Sequence, residues 1–198
     1  AMKLVRARGV EMAKAAALAP AGMSAVLGGD RDVVLKAIAD AGLVAANDNG
    51  GGQIVAAGDL AALATLAPEG ARVRALAVAG AFHTSYMQPA VEPVRALATT
   101  MQVNEPTVGV ISNKDGAVIT SGREVLDRIV NQIANPVRWD LCMETLAAQG
   151  VTGGIEVAPA GTLVGLIKRA VPAIEQSALK SPAEIESASV FAATHGGK

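Results

Sequence analysis

The chain has 198 residues, 51% hydrophobic and 18% charged, and carries a formal net charge of −1. That is a globular composition whose near-neutral charge offers no bulk attraction for nucleic acid or an anionic membrane surface, and 2% aromatics cannot build base-stacking platforms. The lone Cys142 excludes an intrachain disulfide and a cysteine-built zinc cluster and fits a reducing cytosol. No apolar run approaches the roughly 18 residues of a spanning helix, and no secretory signal pattern is visible, so a cytoplasmic protein is expected. Ala1-Met2-Lys3 opens straight into a helical pattern, which suggests a chain cut within a larger protein.

The first predicted element is a helix over residues 3–17, with Leu4, Val5, Met12, Ala15 and Ala16 on one face. Arg8 falls in the middle of that face, four residues from both Leu4 and Met12. A charge on an apolar stripe needs an anionic partner; a structural salt bridge or a snorkelling side chain would also account for it. Residues 22–29 read as a strand and 30–41 as a helix N-capped by Asp30. Strands follow at 44–47 and 53–58, around the turn Asp48-Asn49-Gly50-Gly51-Gly52. The glycine run lacks the Lys-Ser/Thr of a phosphate loop and does not lead from a strand into a helix, so a hairpin turn is expected. A short helix at 59–66 and a strand at 73–78 complete a β-α-β-β-α-β unit, the ferredoxin-like order.

Beyond it, helix and strand alternate: helices at 85–101, 123–133, 137–149 and 162–170, strands at 108–113 and 154–157. This alternation argues a parallel sheet with helices packed on it. From residue 181 the sequence reads as a helix fraying into a tail, with His195 solvated. Cys142 is expected in the core of a helix.

The other histidine, His83, lies in Ala81-Phe82-His83-Thr84, between the last strand of the βαββαβ unit and the next helix. A helix N-terminus disfavours imidazolium and keeps the ring able to accept a proton; the alternative is a histidine that merely caps that helix. A histidine base needs its other ring nitrogen held by an acceptor. Gln132, at the edge of the apolar face made by Val125, Ile129 and Ile133, could supply a side-chain or backbone carbonyl, or could be an ordinary helix-edge residue. No Gly-x-Ser-x-Gly elbow is present.

Several ordered motifs resemble the malonyl-CoA:acyl-carrier-protein transacylase family. They are Val78-Ala79-Gly80-Ala81-Phe82-His83-Thr84 followed by Met87-Gln88-Pro89-Ala90; Pro106-Thr107-Val108 through Ser112-Asn113-Lys114-Asp115-Gly116; Asn135-Pro136-Val137-Arg138-Trp139; and Glu156-Val157-Ala158-Pro159-Ala160-Gly161-Thr162-Leu163. Gly22-Met23-Ser24-Ala25-Val26-Leu27-Gly28 and Gly52-Gln53-Ile54-Val55-Ala56-Ala57-Gly58 resemble its small domain. The implied fold is α/β: part of an α/β-hydrolase-like, parallel-sheet large domain with an inserted ferredoxin-like small domain. Residues 1–20 would be a large-domain helix, 21–79 the small domain, 80–180 the C-terminal part of the large domain, and 181–198 a tail.

The resemblance implies a ping-pong transfer of malonyl from coenzyme A to the phosphopantetheine thiol of acyl carrier protein. No cofactor is implied, coenzyme A arriving as the substrate thioester. It implies His83 as the general base, Gln132 as the residue whose carbonyl orients it, and Arg8 as the grip on the malonyl carboxylate. Phe82 would favour malonyl over methylmalonyl, and Asn49, Gln53 and Asn113 would surround the cleft. The family's nucleophilic serine, in Gly-His-Ser-x-Gly, and its Gln-Gly oxyanion loop are expected before residue 1, so the chain alone is expected to be inactive. A non-catalytic fragment that docks carrier protein through Arg138, Lys168 and Arg169, and a domain excised from a polyketide synthase, are the alternatives. The complete protein is expected to be monomeric.

Overall fold

The computed structural model describes residues 1–196; Gly197 and Lys198, the end of the expected tail, lie outside the described residues. Helix α1 (Met2–Ala16) buries Leu4, Met12 and Ala15, a spacing that keeps them on one stripe. Val5 belongs to a different face: it stands 63% exposed, because one helical residue turns the side chain by about 100° from Leu4. The stripe shares one core with α4 (Gln88–Thr99), α5 (Gly122–Asn131) and the 3-10 turns before and after them, in which Met87, Val94, Val130 and Ile133 are fully enclosed.

Between α1 and α4 the chain builds the βαββαβ unit. Its elements are β1 (Ala21–Gly28), α2 (Arg31–Asp40), β2 (Val44–Asp48), β3 (Gln53–Asp59), α3 (Leu60–Thr65) and β4 (Ala71–Ala75). Asp30 caps α2 by accepting from Asp32 and Val33 N–H, and Asp59 caps α3 the same way from Ala61 and Ala62 N–H. The strands lie antiparallel in the order β4-β1-β3-β2. Period-2 alternation gives the sheet two apolar faces. Val26, Ile54 and Ala56 pack under Val34, Ile38 and Leu63 of the helices, while Met23, Val55 and Ala57 look the other way, toward Ala81 and Phe82. All three glycines of the Gly50-Gly51-Gly52 turn have positive φ, and Asp48 accepts Gly50 N–H, so the run is a hairpin turn.

Several expectations for the rest change. The predicted strand 108–113 is only β5 (Val110–Ile111), paired in an antiparallel hairpin with β6 (Val118–Ile119); its turn is dense in local polar bonds, which pull the chain out of an extended run. The predicted helix 137–149 begins instead as β7 (Val137–Arg138), which adds in parallel to the free edge of β2 and makes the small sheet five-stranded; α6 (Trp139–Ala148) follows. The helix expected at 85–101 opens with a 3-10 turn, Ser85–Met87, capped by Thr84. β8 (Gly153–Val157) is joined by β9 (Glu175–Leu179), a strand not foreseen, in a two-stranded parallel sheet across α7 (Thr162–Ala170). The α/β class stands, with parallel pairing at β8–β9 and β2–β7.

The last stretch is not a loose tail. α8 (Ile185–His195) stays helical to its final residue and packs on β8 and β9. Its anchor is His195, whose Nδ1 lies 3.1 Å from Thr152 Oγ1 and whose ring sits 4.4 Å from that of Phe191. His195 is therefore half-buried, not solvated. A Cβ at Gly153 would overlap this ring. Gly153→Ala should lower stability by about 1–3 kcal/mol, read as a drop in the urea midpoint; an unchanged midpoint would show that the docking of α8 does not depend on this contact.

Candidate functional site

His83 follows the small unit at the bend Gly80–Phe82, with φ 62°, the left-handed region that a residue with a Cβ enters at a cost. Two bonds hold it there. Thr84, 2% exposed, donates its hydroxyl to the Ala81 carbonyl at 2.7 Å and accepts Tyr86 N–H at 3.3 Å, clamping the backbone on both sides of the histidine. Thr84, not His83, is thus the cap of the following turn. The ring is then free to reach across to α5: its Nδ1 lies 2.8 Å from the backbone carbonyl of Gln132. A carbonyl only accepts, so Nδ1 carries the hydrogen and Nε2 of the neutral ring carries the lone pair.

Gln132 presents that carbonyl for a local reason. α5 ends at Asn131 and runs into a 3-10 turn, Gln132–Ala134; carbonyls at a helix C-terminus lack intrahelical partners. The buried Gln132 side chain donates through Nε2 to the carbonyls of Asn135 and Pro136, both at 2.7 Å, so it stabilises the turn and makes no hydrogen bond to His83. The backbone carbonyl is the orienting group.

His83 lines a cavity of about 980 Å³. Arg8, Gly9, Met12 and Ala13 of α1 form one wall; Val125, Arg128 and Ile129 of α5, with Gln132 just beyond its end, another; Ile111, Ser112 and Asn113 of the β5–β6 hairpin a third. Met23, Asn47, Asn49 and Val55 face it from the small sheet, and Trp139, Leu163 and Leu166 from α6 and α7. Arg8, Phe82, His83, Asn49, Asn113 and Gln132 thus converge on one space. Gln53 does not border it: its side-chain carbonyl accepts Asn49 Nδ2–H at 3.0 Å, and it lines a smaller recess of about 240 Å³ on the glycine-turn side. Asn47 is a wall residue that sequence reasoning missed. Its signal was available, since it stands two residues before Asn49 in β2, but a register shift between Ala45 and Asn47 breaks the simple alternation.

Electrostatics favour a neutral His83. Burial pushes its pKa below the ordinary 6.5; the Gln132 carbonyl pulls the other way, and the nearby Arg8 charge adds to the downward push. Burial also draws the Arg8 pKa down, though an arginine stays charged. Among the described residues Arg8 has no carboxylate partner. Cys142 is buried, donates its S–H to the Ser112 carbonyl, and has its pKa pushed up to about 11 by burial, so it is a core thiol. Ser112 borders the cavity, but its hydroxyl oxygen accepts from Lys114 N–H and Arg128 Nη1; among the described residues no serine hydroxyl bonds the His83 ring. Arg138 is committed to Asp140 through two bonds of 2.9 and 2.7 Å, while Lys168 and Arg169 stand exposed at the end of α7. The arrangement is a polarised base, an unpaired guanidinium and amide side chains around one apolar-walled space, which suits acyl transfer from a substrate carrying an anion.

No protein-family model matches the chain. The malonyl CoA-acyl carrier protein transacylase of Mycobacterium tuberculosis is 50% identical over 189 residues, 94% of this chain and 63% of the relative. Its namesake in Mycolicibacterium smegmatis is 47% identical over 193 residues, 94% of this chain and 67% of the relative. The crystal structure of the Mycobacterium tuberculosis protein superposes with a TM-score of 0.89 over 93% of this chain and 62% of that one. A malonyl-transacylase solved in complex with its type II PKS acyl-carrier protein is 27% identical, with a TM-score of 0.84 over 94% of this chain and 63% of that one. The chain therefore spans about two thirds of the length of the relatives it matches, slightly less for the first of them. With its histidine, arginine and asparagines gathered on one cavity and this likeness running along nearly its whole length, the chain belongs to the malonyl CoA-acyl carrier protein transacylase family.

Proposed function

We propose that this chain carries the general base and the carboxylate clamp for transfer of a malonyl group from malonyl-CoA to the phosphopantetheine thiol of acyl carrier protein. The observation that carries the reading is the bond from His83 Nδ1–H to the Gln132 carbonyl, which leaves Nε2 as a basic lone pair on a cavity shared with Arg8. In this reading Nε2 takes the proton of a serine hydroxyl supplied from outside these 198 residues. The serine oxygen attacks the thioester carbon, the carbon–sulfur bond breaks, and the proton passes to the departing coenzyme A sulfur. The carrier thiol then reverses the sequence, giving its proton to Nε2 and taking the malonyl group.

Arg8 sets the substrate class. A guanidinium fork matches a carboxylate in two hydrogen bonds, and an acetyl group offers nothing to pair with it. The malonyl carboxylate cancels the Arg8 charge that depresses His83, so the base strengthens once the acyl group is seated. Phe82, packed between the small sheet and the α1–α4–α5 core, narrows the space beside the base. Asn47, Asn49 and Asn113 supply amides to the thioester and pantetheine, and Gln53 holds Asn49 in place. Lys168 and Arg169 offer positive charge to an acidic carrier protein. Coenzyme A enters as substrate, and no resident cofactor is required. The protein is taken for a cytoplasmic, monomeric enzyme of fatty-acid or polyketide synthesis; among the described residues no helix is long and apolar enough to cross a membrane, and Cys142 is a free thiol.

The test is ligand discrimination by the chain. Malonyl-CoA should bind more tightly than acetyl-CoA in a calorimetric titration, and Arg8→Ala should erase about ten- to a hundredfold of that preference. An Arg8→Ala protein that still prefers malonyl-CoA by the original margin would falsify the clamp. The base has its own test. Because the folded pKa of His83 lies below the unfolded value, the folded state binds fewer protons; its contribution to stability is complete above 6.5 and is lost as pH falls from there toward the folded pKa. An NMR titration of the ring should give a midpoint below 6.5, shifted upward in Arg8→Gln; a midpoint at or above 6.5 would contradict the neutral base.

A further inference from the structure

The guanidinium of Arg128 is the most heavily bonded charged group on the cavity wall, and the transfer mechanism assigns it nothing. Its Nε and Nη2 both lie 2.9 Å from Glu124 Oε1, one turn back on α5. Its Nη1 reaches off the helix to two groups of the β5–β6 turn, Asp115 Oδ1 at 2.7 Å and Ser112 Oγ at 3.1 Å. Those two residues flank Asn113. The other side-chain ties to the turn come from α6 and reach only its two end carbonyls, Cys142 Sγ to Ser112 O and Thr145 Oγ1 to Gly116 O at 2.8 Å; the bonds inside the turn are short-range, Gly116 N–H to the Ser112 carbonyl, Ala117 N–H to Asp115 Oδ1, and Lys114 N–H to Ser112 Oγ. β5 and β6 are two residues each, and a two-stranded hairpin that small does not hold its own shape in water. The one other tie at Asn113 itself is Arg138 N–H, which donates to its carbonyl at 2.7 Å.

We propose that Arg128 is a positioning residue that locks the Ser112–Asp115 turn to α5 and thereby fixes the Asn113 side chain on the cavity wall, where it hydrogen-bonds the substrate thioester. The geometry makes α5 a ruler. Arg128 grips the Asn113 turn, and the Gln132 carbonyl, four residues on, grips His83. The two grips stand about one helical turn apart along α5 and the 3-10 turn that continues it, and that spacing sets how far the amide stands from the base. The ligand part of the proposal rests on the malonyl-CoA reading above; the locking of the turn does not.

The experiment uses Arg128→Gln, which keeps a polar side chain and loses the fork, with Arg128→Lys, Asn113→Ala and the Arg128→Gln/Asn113→Ala double variant, all in the whole chain. Amide hydrogen exchange is the first readout. Gly116 and Ala117 should exchange at least about tenfold faster in Arg128→Gln, with Met87 and Val94 in the core unchanged. Unchanged exchange at Gly116 and Ala117 overturns the proposal whether or not malonyl-CoA binds. Malonyl-CoA affinity is the second, followed by fluorescence of Trp139, the single tryptophan and a wall residue of the same cavity. Arg128→Gln should weaken binding about tenfold in the parent and leave it unaltered in the Asn113→Ala background, with Arg128→Lys between. Equal losses in both backgrounds would mean that Arg128 does not act through Asn113. Faster turn exchange in a protein that does not bind malonyl-CoA would keep the lock and remove the substrate assignment.

Discussion

The 2.8 Å bond between His83 Nδ1 and the Gln132 carbonyl joins residues 49 apart in sequence, and much of the surrounding structure exists to make it possible. His83 accepts a left-handed backbone to reach it, a strained state that persists only where neighbours over-determine it. Thr84 supplies that constraint from a fully enclosed position, bonding the backbone before and after the ring. On the other side, Gln132 must expose its carbonyl while its own amide is satisfied, and the carbonyls of Asn135 and Pro136 do this. The core of α1, α4 and α5 then sets the separation of the two partners, with Met87, Val130 and Ile133 admitting no solvent.

The acceptor is also an electrical choice. A carbonyl at a helix C-terminus carries partial negative charge and would by itself hold a proton on the ring. Burial outweighs it, and Arg8 reinforces burial, so the ring stays neutral and basic. A carboxylate in place of the carbonyl would tip the balance toward imidazolium and spend the lone pair. Desolvation is thus the dominant influence on this ring, and the apolar walls from Met12, Val55, Ile111, Ile129 and Leu166 bear on its protonation as well as on the packing.

Much of this could be read in the sequence, and the failures have physical causes. The βαββαβ order was legible because its strands alternate and its first helix carries an aspartate cap at Asp30, seen as a side-chain acceptor; Asp59 caps the second helix the same way, a cap the sequence reading did not name. The convergence of Arg8, His83, Asn113 and Gln132 on one cavity was expected from motif likeness, since residues this far apart in sequence leave no local pattern. What went unread depends on tertiary pairing. Val137 and Arg138 look helical until the free edge of β2 recruits them. Glu175–Leu179 is a strand only because β8 lies beside it. The side chain of Gln132 points away from the histidine, which no spacing rule could foretell. His195 read as solvated because nothing in sequence announces Thr152 and Phe191 as its neighbours.

Polar ties are distributed unevenly, and the unevenness follows the packing. The small sheet buries both faces and needs few polar links between elements. Around the cavity several functional side chains sit on short pieces that join the helices: the two-residue strands β5 and β6 and the 3-10 turns Ser85–Met87 and Gln132–Ala134. Single polar groups hold position there. Glu156 accepts the Gly161, Leu163 and Val164 amides and so anchors the start of α7, bringing Leu163 to the cavity; those amides hold its carboxyl below the usual glutamate pKa even against desolvation. Arg128 secures the Asn113 turn, and Gln132 secures His83. Where such short connections carry a side chain into the helix-walled cavity, a few directional bonds keep it there.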